Sequence, residues 1–184
     1  MNRIGSVIVP ILFSAGYQVQ LLLKHLRKYV WLITRILEQV YIHDLYLQCF
    51  DGIVKQFRHS SDALSCEMKF SVFFPAQSEH EAVPVVIYLS GLTCTDENFM
   101  TKAGAQQYAS QYGIALVAPD TSPRGLGIPG EDESYDFGTG AGFYINAVQD
   151  QWKQYRMEDY VMKDLFSTLS QFSELDCSRV SAFD

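Results

Sequence analysis

Val85-Val86-Ile87-Tyr88-Leu89-Ser90-Gly91-Leu92-Thr93-Cys94-Thr95 decides the fold. The five residues from Val85 to Leu89 are apolar, and Val85, Val86 and Ile87 are β-branched. A short apolar run of that kind, closed by glycine, predicts a central strand covered on both faces. The turn opens toward a helix, so its N–H groups point into the space above the strand. α/β enzymes place anion or oxyanion donors there.

Working outward, Thr93 to Asn98 supplies hydroxyl and acidic groups suited to a helix start. Phe99, Ala103, Gln106 or Gln107 and Tyr108 continue one helix, which Gly113 can end. Ile114 to Ala118 predicts a second buried, parallel strand, completing a βαβ unit. Upstream, Gly52 to Ser61 suits a first strand and its turn, with His59 as a surface or turn histidine. Cys66, Met68, Phe70, Val72 and Phe74 alternate with Glu67, Lys69 and Ser71, predicting a strand with one buried and one solvated face. Gln77 to Ala82 reads as a polar loop, with His80 solvated between glutamates.

Downstream, Asp120 to Gly142 is glycine-rich loop material. Gly125-x-Gly127-x-x-Gly130 spells a dinucleotide fingerprint, but Pro129 interrupts it and Glu131, Asp132 and Glu133 would repel a pyrophosphate. A site wall or lid is the better expectation. Trp152, Tyr155, Tyr160 or Val161, Leu165, Leu169 and Phe172 predict a helix of several turns, and Arg179 to Phe183 begins another strand.

The bulk numbers fit one core-bearing domain of 184 residues, with 48% hydrophobic and 19% charged residues. A net charge of −7 argues against a nucleic-acid surface. The charge is uneven: residues 1–48 are net basic, the rest acidic. Cys49, Cys66, Cys94 and Cys177 are widely spaced, which suits free thiols in a reducing compartment better than a disulfide framework or a zinc ribbon.

Residues 1–48 stand apart. Ile4 to Leu23 lacks charge and approaches the length of a membrane span, yet Pro10, Gly16, Gln18 and Gln20 interrupt it. From Leu21 a helical stripe runs through Leu22, Leu26, Val30, Ile33, Leu37 and Val40, with Lys24, Arg27, Lys28 and Arg35 on other faces. The segment is a signal or anchor, an amphipathic helix packed on the domain, or a leader with no role in the fold. A basic amphipathic helix over Leu21–Leu47 would suit a membrane surface or a partner protein, and so a non-catalytic binding protein.

Several words in the chain, SGLTCTDENF, KAGAQQYA, APDTSPRG, GEDESYDFGTGAGFY and YRMEDYV, occur in an order that resembles S-formylglutathione hydrolase, also called esterase D. The resemblance runs from about Cys49 to Phe183. It implies an α/β-hydrolase fold, with a mostly parallel sheet and helices on both faces, cut short at its N-terminal part. It divides the chain into a non-family segment, 1–48, and an α/β-hydrolase part, 49–184. The implied reaction is serine attack on S-formylglutathione, giving formate and glutathione in cytoplasmic formaldehyde detoxification. The implied partner is a small thioester; a homodimer is compatible, and no nucleic acid, metal or cofactor is implied.

Such a hydrolase orders its triad serine, acid, histidine, with the serine on a G-x-S-x-G elbow. The 184 residues contain no G-x-S-x-G, and their last histidine is His80. Ser90 lacks a preceding glycine. By resemblance, the triad is expected beyond Asp184, and the chain alone is expected to be inactive.

The remaining positions carried by resemblance form half a site. Leu92 would donate its backbone N–H to the oxyanion, or simply turn a corner beside Gly91. Cys94 matches the family's redox-sensitive thiol beside the pocket, or is a small buried hydrophobe. Tyr135, Asp136, Phe137, Gly140, Phe143 and Tyr144 match substrate-side loops, where an aromatic can equally pack the loop.

Overall fold

A computed structural model describes the protein from Val40 to Asp184, with side chains described from Leu47 onward. The described residues build a six-stranded sheet in the order β1-β2-β3-β5-β4-β6. Its strands are β1 (Val40–Cys49), β2 (Gly52–Ser61), β3 (Cys66–Phe74), β4 (Val83–Tyr88), β5 (Ala115–Pro119) and β6 (Leu175–Phe183). Helices α1 (Asp96–Lys102) and α2 (Gln106–Tyr112) connect β4 to β5. A helical stretch leads into β6: α3 (Met157–Asp159), a π-helical segment (Tyr160–Leu165) and α4 (Phe166–Leu169).

The sheet is mixed rather than mostly parallel. β1/β2, β2/β3 and β3/β5 pair antiparallel, whereas β4 pairs parallel with β5 and β6. β1/β2 and β2/β3 are hairpin pairs and a helical crossover joins β4 to β5, whereas β3/β5 is an antiparallel pair of strands that are not consecutive in the chain.

β1 corrects the expectation of a helix through Leu47. From Val40 the chain is strand, paired with β2 across the tight turn Phe50-Asp51. Both turn residues sit at positive φ, 48° and 57°, which matches the twist of a two-residue hairpin. Hairpin pairing outweighs the helical stripe here. The remainder of the proposed amphipathic helix and the apolar run from Ile4 lie outside the described residues. Among the described residues, no helix is long and apolar enough to cross a membrane.

Two apolar layers cover the sheet. Phe57, Phe70, Val72, Val85 and Ile87 cluster with Met157, Tyr160, Leu165 and Leu169 on one face. Val54, Phe73, Leu116 and Ala118 cluster with Phe99, Met100 and Ala109 on the other. β3 therefore departs from the half-solvated strand expected of it: Phe70 through Phe74 are all buried. Ser71 is covered because its hydroxyl donates to Asp96 Oδ2 at 2.7 Å, where the Gln56 amide also donates at 2.7 Å. β4 is flanked on both edges, but its faces differ. Val83, Val85 and Ile87 are buried, while Pro84, Val86 and Tyr88 are half-buried.

His59 is not a surface histidine. It is 2% exposed on β2. The Tyr160 hydroxyl lies 3.1 Å from Nε2 and the Thr168 hydroxyl 3.0 Å from Nδ1. Burial lowers its pKa to about 4, against a smaller opposing pull from Asp164. His80 stays exposed, ending a short 3-10 turn over Ala76–Glu79 in the segment expected to be a loop.

The single helix expected before Gly113 is broken at Ala103–Ala105 into α1 and α2. Gly113 ends α2 in the left-handed conformation, as its position predicted.

Candidate active site

The turn after β4 is built by straps rather than by its own helix. Leu89 N–H still belongs to the sheet, donating to Phe183 O at 2.8 Å. Ser90 is 1% exposed, and its hydroxyl has no hydrogen-bond partner among the described residues. With no histidine beside it, Ser90 offers no activated nucleophile. Its carbonyl accepts the Tyr144 hydroxyl at 2.8 Å. Burial, first of all, raises the Tyr144 pKa, so the phenol stays a donor.

Thr93 then takes a left-handed φ of 65° and donates its N–H to Gly140 O at 2.8 Å. Cys94 N–H returns to Gly91 O at 3.2 Å, closing the turn. The Cys94 carbonyl accepts the Thr121 hydroxyl at 2.6 Å and the Arg124 guanidinium at 3.2 Å. Arg124 is itself held by Asp120, with Nε and Nη2 donating at 2.7 and 2.8 Å. Thr95 then caps α1 with a reciprocal capping box involving Asn98.

The Leu92 N–H has no acceptor within the described chain. Gly142 lies over it. A β-carbon there would stand 3.3 Å from Leu92 N, and the φ of +70° is one that side chains rarely adopt. Glycine at 142 thus keeps the approach to that N–H open. Leu92 as a whole is 41% exposed.

The structure brings Gly91, Leu92, Cys94, Gly140 and Tyr144 together in one strapped turn. Phe137 and Phe143 lie apart from it, on an apolar hollow with Trp152 and Tyr155. Tyr135 and Asp136 are exposed; Asp136 binds the Ser134 hydroxyl locally. Cys94 is half-buried, at the residue before the α1 cap. Asp120, Thr121, Ser122, Arg124 and Gly142 were not assigned by sequence, although the word APDTSPRG contains four of them. Ser122 joins the straps by accepting Gly140 N–H at 2.7 Å. Glu131 turns inward, accepting Gly127 N–H at 2.7 Å and the Tyr155 hydroxyl at 3.2 Å, and no helix follows the Gly125–Gly130 loop until Asp150.

Comparison with known proteins gives this geometry a family. The Esterase family model matches residues 61–180. The chain belongs to the Esterase family. Within the family it is similar to an S-formylglutathione hydrolase of Arabidopsis thaliana, 59% identical over 135 residues, covering 72% of this chain and 47% of that protein. The Mus musculus S-formylglutathione hydrolase is 51% identical over 137 residues, covering 74% and 49%. Among solved structures, an S-formylglutathione hydrolase from Agrobacterium tumefaciens superposes with a TM-score of 0.73 at 41% identity, over 77% of this chain and 51% of that one. A ferulic acid esterase shares the fold, with a TM-score of 0.55 at 13% identity. The chain has the α/β-hydrolase fold, and it spans about half the length of the curated relatives it matches.

Proposed function

We propose that this chain carries the oxyanion side of an S-formylglutathione hydrolase site. The observation that supports this is the Leu92 N–H: it has no acceptor within the described chain, Gly142 keeps its approach clear, and bonds to Ser90, Thr93 and Cys94 fix its turn. A donor fixed before reaction stabilises a developing oxyanion without reorganisation. In the whole protein, a serine outside these residues attacks the formyl carbon of the thioester, and the carbonyl oxygen becomes the oxyanion. Glutathione thiolate leaves and takes a proton from the base. Water then attacks the formyl-serine, releasing formate. Leu92 would hold the oxyanion in both halves, with a second N–H following the serine. Cys94 borders the site through its backbone and takes no covalent part in this scheme. We place the reaction in cytoplasmic formaldehyde detoxification.

The chain alone supplies no elbow serine and no histidine after His80, so by itself it turns over no thioester. The test is S-formylglutathione hydrolysis by the pure chain, alone and after co-refolding with the C-terminal half of the mouse relative. The expected result is no turnover alone and turnover in the mixture, lowered by about 10²-fold in kcat with Gly142→Val. Turnover by the chain alone would overturn the proposal, as would a mixture whose rate ignores the Gly142 change.

A further inference from the structure

The hollow lined by Phe137, Phe143, Trp152 and Tyr155 has its own chemistry. It encloses about 390 Å³, within the range of small-molecule sites. Phe137, Phe143, Ile145, Val148, Trp152 and Tyr155 supply its apolar lining. Among the described residues, no charged side chain lines it. Phe137 and Trp152 meet edge to face at 4.9 Å and 85°, and Trp152 and Tyr155 do so at 5.5 Å and 81°.

The walls are tied in place. Ala147 N–H donates to Tyr155 O at 2.8 Å, and Trp152 N–H to Gln149 O at 2.9 Å. Tyr155 is further fixed by its hydroxyl bond to Glu131. Asn146 Oδ1 accepts Asp159 N–H at 3.1 Å, which leaves its NH₂ as a donor at the rim. The apolar groups are nonetheless wet: Phe143 is 53% exposed, Ile145 67% and Val148 96%. Rigid, solvated aromatic walls with one or two amide groups are the setting in which a flat apolar ligand gains most from desolvation.

We propose that this hollow is a binding site for a neutral aromatic ligand, an aryl ring or fused pair of rings bearing at most a carbonyl or hydroxyl for the Asn146 amide. The inference goes beyond the hydrolase reading and does not depend on it. Glutathione carries two carboxylates and an ammonium group, and this hollow offers them no counter-charge. The hollow and the strapped turn share one loop, since Phe143 lines the first while its neighbours Gly142 and Tyr144 hold the second.

The test titrates the full 184-residue chain with N-phenyl-1-naphthylamine, a neutral dye that brightens in apolar surroundings. Energy transfer from Trp152 reports proximity. The expected result is saturable binding at one dye per chain. Val148→Glu and Ile145→Glu, both at exposed positions, weaken it at least about tenfold, because each sets a charge against an apolar ligand. Trp152→Phe lowers the energy transfer while binding persists. Tyr112→Glu on α2 leaves binding unchanged, as does Phe183→Ser on β6. Absence of saturable binding would overturn the proposal, as would Val148→Glu binding like the parent chain. So would one dye per two chains with a sedimenting dimer, which would make a second copy the occupant.

Discussion

β3 and β6 are both nine-residue strands, and they meet opposite fates. β3 lies between β2 and β5, with an apolar layer on each face; β6 is an edge strand, paired among the described residues with β4 alone. Phe70 in β3 is fully buried, whereas Phe183 in β6 is 49% exposed. An aromatic on a strand is therefore not a fixed quantity of stability. What surrounds the strand sets how much water the ring leaves, and that area sets the energy.

The comparison can be tested at graded strength. Phe70→Ala carries the largest expected effect, about 3–5 kcal/mol, since the ring stacks on Phe57 at 5.2 Å and leaves a closed cavity behind. Urea unfolding should show it as a loss of midpoint at constant slope; a loss below about 1 kcal/mol would contradict the burial of β3.

His59 tests the same region by pH. Its folded pKa, about 4, lies below the ordinary 6.5. Between those values the unfolded chain takes up a proton that the folded chain rejects. The stability it confers is complete above pH 6.5 and is lost as pH falls toward 4, by roughly 3 kcal/mol over the window. His59→Gln should flatten that part of the stability profile; an unchanged slope would mean His59 is charged in the fold.

Phe183→Ala should be milder, about 1 kcal/mol, because the residue is already half exposed and what remains is ring contact with Tyr88 at 5.0 Å and Phe99 at 6.2 Å. If it matched Phe70→Ala, the contrast between the strands would fail. The smallest effect belongs to Glu67→Gln. Its carboxylate meets Arg58 at 2.8 Å on the exposed end of β3, with side-chain exposures of 32% and 51%. Thermal melts should register less than about 1 kcal/mol, fading with added salt.

The same contrast explains what the sequence made legible. Val85 to Leu89, the Gly91 turn and Ala115 to Ala118 could be read because continuous apolar runs with local punctuation mark them, although Val86, Tyr88 and Leu89 are only half-buried. β1 could not, because its pairing with β2 competes with a helical stripe. Its turn signal is also displaced: Asp51-Gly52 spells a hairpin, but Phe50 and Asp51 occupy the two turn positions. His59 was misplaced because its partners, Tyr160 and Thr168, come from a helix far along the chain. Leu92, Cys94, Gly140 and Tyr144 were legible only as matched words. The straps that join them, Thr121 and Arg124 on the Cys94 carbonyl, depend on contacts that no local pattern announces.

The crossed strand order bears on the path by which the chain folds. β4 gains its second neighbour only when Val85 meets Val180, almost at the far end of the described chain. Parallel pairings between such distant residues bear a large loop-closure entropy and form slowly. The β1–β2–β3 meander needs only neighbouring segments and can assemble first. The strapped turn hangs from β4 and is tied to β6 through Leu89 and Phe183. It is therefore among the last parts to be fixed, and a refolding chain will own its antiparallel meander before it fixes the Leu92 N–H.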